Sequence, residues 1–213
     1  MPRVNEVTPM PKPSSKRYSL VWLLLLFSLS GCMTTPATDA TLQSGQADVP
    51  PAAAREFAQA LAMLKSGQRT IALSLFQHLA QRYPQLAGAQ VNIGIIDLQN
   101  NKNDEAITAL KRATQLNPAN AVAYQHLGIA YRRKGQFTEA KDAYLQALKL
   151  NPDYANAHLN LAILYDIYLQ QLNKALVHYQ QYQRLTNVKD KLVVKWMIDL
   201  ERRIHAMKSK TQG

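Results

Sequence analysis

Residues 115–128 read QLNPANAVAYQHLG, and residues 149–162 read KLNPDYANAHLNLA. Each stretch holds the end of one helix, a turn and the start of another. The proline is the stop: it cannot donate in a helix and cannot continue one. Pro84, Pro118 and Pro152 stand 34 residues apart. A stop and a start repeated at one interval describe a chain of stacked units. Each unit buries its apolar face only against its neighbours.

The unit Ala121–Tyr154 is the clearest. It carries Tyr124, Leu127, Gly128 and Tyr131, then Gly135, then Ala140, Tyr144 and Ala147, and ends at Pro152. Small Gly128 and Ala140 let two helices approach closely. Gly135 permits the positive φ that ends the first of them. Leu127, Tyr131 and Tyr144 fill the space between. This order of large, Leu, Gly, Tyr, then Ala, aromatic, Ala, then Pro resembles the tetratricopeptide repeat. The resemblance covers residues 53 to about 187. It implies an all-α solenoid of four helical hairpins, at 53–86, 87–120, 121–154 and 155–187.

The other units depart from the pattern in particular ways. The second keeps Ile93, Gly94, Ala106, Leu110 and Ala113 but has Gln90 and Asp97 where large residues are usual. Asn101 takes the place of the turn glycine, and asparagine tolerates that conformation. The first keeps Ala60, Gly67, Ala72 and Phe76 but puts Glu56 and Gln59 at apolar places, as a terminal repeat with a polar outer face would. The fourth keeps Leu161, Ala162, Tyr165, Ala175 and Tyr179. It has one extra residue between Tyr165 and Ala175, no turn glycine, and Tyr182 where a small residue is usual. Beyond it, Val193, Met197, Leu200, Ile204 and Met207 recur at helical spacing. They define a capping helix over 188–208, needed because the last repeat otherwise exposes its stacking face.

The N-terminus reads as an address. Residues 1–18 are polar and basic, and SLVWLLLLFSLSGC follows over 19–32. About a dozen apolar residues suit a signal peptide and fall short of the ~20 a spanning helix needs. Leu29-Ser30-Gly31-Cys32 contains the sole cysteine of the chain. The pattern resembles a bacterial lipoprotein lipobox, which implies removal of 1–31 and acylation of Cys32. Met33 stands where the inner-membrane retention signal usually has Asp, so the resemblance points to the outer membrane. Residues 33–52 lack apolar periodicity and read, from Cys32 on, as a flexible tether.

Net charge is +11, of which residues 1–31 contribute +3, leaving +8. Basic charge alone admits nucleic acid. A secretory address and the lack of an aromatic-and-basic stacking platform exclude that reading. No phosphate loop, nucleophile elbow or metal spacing occurs, so no cofactor, no small-molecule substrate and no enzymatic activity are expected. His78, His126, His158, His178 and His205 are scattered. His158 falls at a packing position and His126 on a solvated helix surface. Trp196 lies beside the cap stripe, and core packing is its expected role.

By resemblance, the first helix of each hairpin lines a concave surface. Here that surface takes Val91, Asn92, Ile95 and Gln99 from the second hairpin. The third contributes Gln125, His126, Ile129, Arg132 and Arg133, and the fourth Leu159, Asn160, Ile163 and Asp166. One subclass of the family grips acidic C-termini with Lys, Asn, Asn, Lys and Arg. The matching places hold Phe57, Leu61, Asn92, Val122 and His126, so only Asn92 agrees and such a clamp is not expected. The central stripe is apolar, with amides beside it. The basic run Arg132-Arg133-Lys134 is either a solvated helix end, suited to the helix dipole, or an anion-binding rim. The expected role is a non-catalytic interaction scaffold on the periplasmic side of the envelope. Two narrower roles are a pilotin-like factor for a type IV pilus or secretin and an auxiliary factor of an envelope hydrolase.

Overall fold

A computed structural model describes residues 49–186 and 190–211, with the side chains of Lys210 and Thr211 excepted. The expected signal segment, Cys32 and most of the tether lie outside the described residues.

Nine helices and no strand occur among the described residues. They are α1 (Pro51–Lys65), α2 (Arg69–Arg82), α3 (Ala87–Gln99), α4 (Asn103–Leu116), α5 (Ala121–Arg133), α6 (Phe137–Leu150), α7 (Ala155–Ile163), α8 (Leu172–Leu185) and α9 (Lys191–Thr211). A π-helical turn, Leu164–Tyr168, continues α7. Helix α1 begins two residues inside the expected tether, because Pro51 sits at its first turn, where a missing amide proton costs nothing. The helices pair as α1–α2, α3–α4, α5–α6 and α7–α8, each hairpin packs on the next, and α9 closes on α8. The first helices α3, α5 and α7 also touch one another. The architecture is the expected all-α solenoid of four hairpins with a closing helix. No described helix is long and apolar enough to cross a membrane.

Local chemistry explains the joints. Within the hairpins, one residue has positive φ at each turn: Gly67 (81°), Asn101 (60°), Gly135 (76°) and Gln170 (52°). The amide of the following residue then bonds back to the helix, as Gln68 to Met63, Lys102 to Asp97 and Gln136 to Tyr131. These are Schellman closures, which satisfy carbonyls the helix end leaves free. Between hairpins, Asn117 Oδ1 accepts from the Ala119 amide and Asn120 Oδ1 accepts from the Ala123 amide, both at 3.0 Å. The asparagines of QLNPAN thus end α4 and cap α5.

Packing follows from the small residues. A Cβ placed on Gly128 meets Tyr144 Cε1 at 2.5 Å, and one placed on Gly94 meets Leu110 Cγ at 2.5 Å. Phe57 and Phe76 pack edge to face in the first hairpin, with ring centres 5.4 Å apart. Tyr144 and Tyr179 are fully buried at the matching places of the third and fourth. In α9, Val193 and Leu200 are buried and Met197 and Ile204 pack against the same core. Met207 departs from the expected stripe and is 58% exposed. Trp196 keeps one face against Tyr179, with ring centres 5.9 Å apart, and is otherwise exposed.

Candidate functional site

The first helices bring the expected groove residues onto one row but bury them unequally. Gln99 and Arg133 are exposed, and Ile95, His126, Ile129, Arg132, Leu159, Asn160 and Ile163 are half-buried. Val91, Asn92, Gln125 and Asp166 are buried. Val91 is not part of an open stripe: it packs with Ala113 and Ala123 in the joint between hairpins two and three. Asp166 is not open either. Its Oδ1 accepts from Arg203 Nη1 of α9 at 2.7 Å, so the closing helix covers this end of the row. The sequence treated α9 as an apolar cap and left this ion pair unseen.

The amides behave differently from one another. Asn92 Nδ2 donates to the Gly88 carbonyl, and Asn160 Nδ2 to the Asn156 carbonyl, each one turn back at 2.8 Å. Gln125 is 4% exposed, and its Oε1 has no hydrogen-bond partner among the described residues. A buried acceptor without a donor is costly, so this oxygen marks a place where a donor is stabilising.

The two arginines also differ. Arg133 Nη1 donates to the Leu98 carbonyl at 2.6 Å, fastening α5 to the end of α3. Arg132 lies beside the Tyr144 and Tyr168 hydroxyls. Only Arg133 is hydrogen-bonded into a joint between hairpins; Arg132 Nε and the Tyr144 hydroxyl are buried and have no hydrogen-bond partner among the described residues, and of the basic run Lys134 meets the Asp104 carboxylate at 2.9 Å. His126 is not the solvated side chain the sequence suggested. Burial lowers its pKa to about 4, so it is a neutral lining residue at pH 7.

The structure pairs two histidines that sequence spacing left apart. His158 Nδ1 lies 2.9 Å from His178 Nδ1, and His158 Nε2 lies 2.9 Å from the Pro152 carbonyl. A carbonyl only accepts, so Nε2 of His158 carries the proton, and His178 donates to the bare Nδ1. Burial, and then the neighbouring His158, lower the His178 pKa to about 4. Their spacing of 20 residues crosses a hairpin, which is why no local motif announces the pair. No group of three or more His, Cys, Asp or Glu able to hold a metal occurs among the described residues.

Comparison with known proteins agrees with this geometry. A family model described as TPR repeat matches residues 94–135 and 128–166, and one described as Tetratricopeptide repeat matches residues 56–85. No curated protein matches the chain. Among solved structures, a thermophilic TPR protein of Thermus thermophilus is 21% identical, with 71% of this chain and 82% of that chain covered and a TM-score of 0.59. MamA of Desulfovibrio magneticus is 22% identical, covering 65% of this chain and 78% of that one, with a TM-score of 0.57. The first TPR of Spaghetti, bound to an HSP90 peptide, is 22% identical, covering 56% of this chain and 93% of that one, with a TM-score of 0.53. At these identities the likeness concerns the fold. The chain carries tetratricopeptide repeats, and its four hairpins with their closing helix are a tetratricopeptide solenoid.

Proposed function

We propose that the chain is a non-catalytic interaction scaffold that takes a segment of a protein partner along the row of first helices. The observation that carries this reading is the row of half-buried aliphatics Ile95, Ile129, Leu159 and Ile163 on successive first helices, with exposed Gln99 and half-buried Asn160 beside them. A partner segment buries apolar side chains against these aliphatics while the amides beside them meet its polar groups. A carboxylate clamp is not the mode, since Phe57 lies in the core at the first clamp position. The Spaghetti domain binds its peptide on the same fold, which supports a peptide-binding role without assigning this ligand.

The reading extends to location through the sequence. Cys32 follows Leu-Ser-Gly at the end of an apolar stretch. As an acylated N-terminus it tethers the solenoid to the envelope, on the periplasmic face of the outer membrane. Several acyl chains make such anchoring durable where one does not. The partner is then a component of an envelope assembly.

The test is co-purification from envelope membranes with full-length protein and the Asn160→Glu variant. The Asn160 side chain bonds only its own helix, so the fold tolerates the change. Loss of the partner with an unchanged circular dichroism spectrum supports the inner-face reading. A folded variant that retains the partner overturns it. The identity of the captured protein separates the narrower roles, with secretin subunits supporting a pilotin-like factor and a hydrolase supporting an auxiliary one.

A further inference from the structure

The basic run Arg132-Arg133-Lys134 admits two readings from sequence, a solvated helix end or an anion-binding rim, and the structure sorts it residue by residue. Lys134 is neutralised by Asp104. Arg133 is exposed and donates to the Leu98 carbonyl. Arg132 differs from both. It is half-buried in the last turn of α5, one turn beyond Ile129. It forms no ion pair among the described residues. Its Nε is buried and has no hydrogen-bond partner there. The polar groups beside it are the Tyr144 and Tyr168 hydroxyls, and no carboxylate is among them.

An arginine is charged at any pH at which the protein works. A guanidinium partly withdrawn from water without a counter-charge is unfavourable, so a carboxylate brought to it is stabilising. With Nε enclosed, the fork left to a carboxylate is Nη1 and Nη2, which can meet both of its oxygens. The rest of the row offers no internal candidate. His126 is neutral at pH 7, and Asp166 is taken by Arg203. The uncompensated charge of the row is therefore positive and gathers at the end of α5, where Arg133 adds to the field at the Tyr144 hydroxyl. The surface next to it is apolar. Tyr168 packs on Phe137 with ring centres 4.6 Å apart and is 41% exposed, and Ile167 before it is 58% exposed. Both stand on the π-helical turn, an irregularity that often accompanies a functional site.

We propose that the partner segment carries an aspartate or glutamate whose carboxylate meets Arg132, with an apolar neighbour lying on Ile167 and Tyr168. This rests on the inner-row reading above and adds the chemistry of the partner: aliphatic side chains along Ile129 and Ile163, and one acid at the edge between α5 and the π turn. The position is not that of the carboxylate clamp, whose places on the third hairpin are Val122 and His126.

The test presents full-length protein in detergent micelles to a display library of random dodecapeptides, held inside a carrier so that no peptide end is free. The parent is expected to enrich aliphatic residues together with Asp or Glu at one place. Arg132→Gln is expected to keep the circular dichroism spectrum of the parent and to enrich the aliphatics without the acid. The best acidic peptide is expected to bind Arg132→Gln about ten- to a hundredfold more weakly than the parent. Arg132→Lys, which keeps the charge and loses the fork, is expected to fall between. A parent that enriches aliphatics without an acid overturns this proposal and leaves the inner-row reading standing. A parent that enriches nothing overturns both. Acid enrichment that persists in Arg132→Gln overturns the assignment to Arg132.

Discussion

Hairpins three and four start from nearly the same words and end differently. In hairpin three the Gln136 amide closes on the Tyr131 carbonyl, five residues back. In hairpin four the Gln171 amide closes on the Tyr165 carbonyl, six residues back. The extra residue is taken up by the π-helical turn Leu164–Tyr168, where the Leu169 amide bonds the Leu164 carbonyl at 3.0 Å. A π turn absorbs one inserted residue without breaking the helix. Tyr144 and Tyr179 are therefore both fully buried at matching places despite the insertion. The position that holds exposed Arg133 in hairpin three's register is Ile167 in hairpin four, 58% exposed. Packing thus tolerates an insertion when the added residue is confined to one turn beside the loop. The cost appears in the turn itself, where Gln170 holds a positive φ that Gly135 adopts freely.

The strongest way to break this correspondence is Gly128→Leu. The facing Tyr144 ring leaves no room for even a Cβ, whereas hairpin four already carries Ala162 at that place. Overpacking is expected to lower stability by about 3 kcal/mol in urea titrations. Ala162→Gly is expected to cost about 1 kcal/mol through backbone entropy. An unchanged urea midpoint for Gly128→Leu contradicts the hairpin packing.

Next in size is the pair that only hairpin four has. Asp166→Ala removes the nearer of two carboxylates from Arg203, leaving Asp199 at 3.8 Å, and lowers stability by about 1–2 kcal/mol, since Arg203 stays partly solvated. Hydrogen exchange in α9 is expected to quicken while α5 and α6 are unaffected. Equal protection of α9 in parent and variant contradicts this.

A third contrast is acidity. The folded-state pKa values of His126 and His178 are about 4, below the ordinary 6.5. The unfolded chain therefore binds more protons between these values, and stability falls as pH drops from 6.5 towards 4. His178→Phe is expected to flatten the part of this slope that belongs to hairpin four, seen as a smaller drop in melting temperature. An identical slope in parent and variant excludes the His178 contribution.

The smallest expected effect is a pair of mirrored turn changes. Gln170→Gly relieves the left-handed conformation and raises stability by about 0.5–1 kcal/mol, and Gly135→Gln lowers it by a similar amount. Changes of the same sign at both positions contradict the equivalence of the two turns.

Much of this was legible in the residues. The Asn-Pro joints, Gly128, Gly135 and the 34-residue interval follow from local chemistry, and the hairpins follow from them. The extra residue of hairpin four was countable, but its location in a π turn depends on how Tyr165 and Tyr179 pack. The groove was legible as a row of first-helix positions and not as a surface. Burial of Val91 depends on α4 and α5, and burial of Asp166 depends on Arg203, 37 residues away. The departures at Gln90 and Asp97 were plain, whereas the open hollow beside them, lined from α2, α3 and α4, required the positions of those helices.

The central claim is that a partner lies along the first helices, and site-specific photocrosslinking of the full-length protein in intact cells tests it most directly. A benzophenone side chain at Gln99 or at Asn160 places the reactive group on the inner row. One at Gln180, exposed on α8, serves as the reference on a second helix. The account predicts that Gln99 and Asn160 capture the same protein and that Gln180 does not. Capture from Gln180 alone contradicts it.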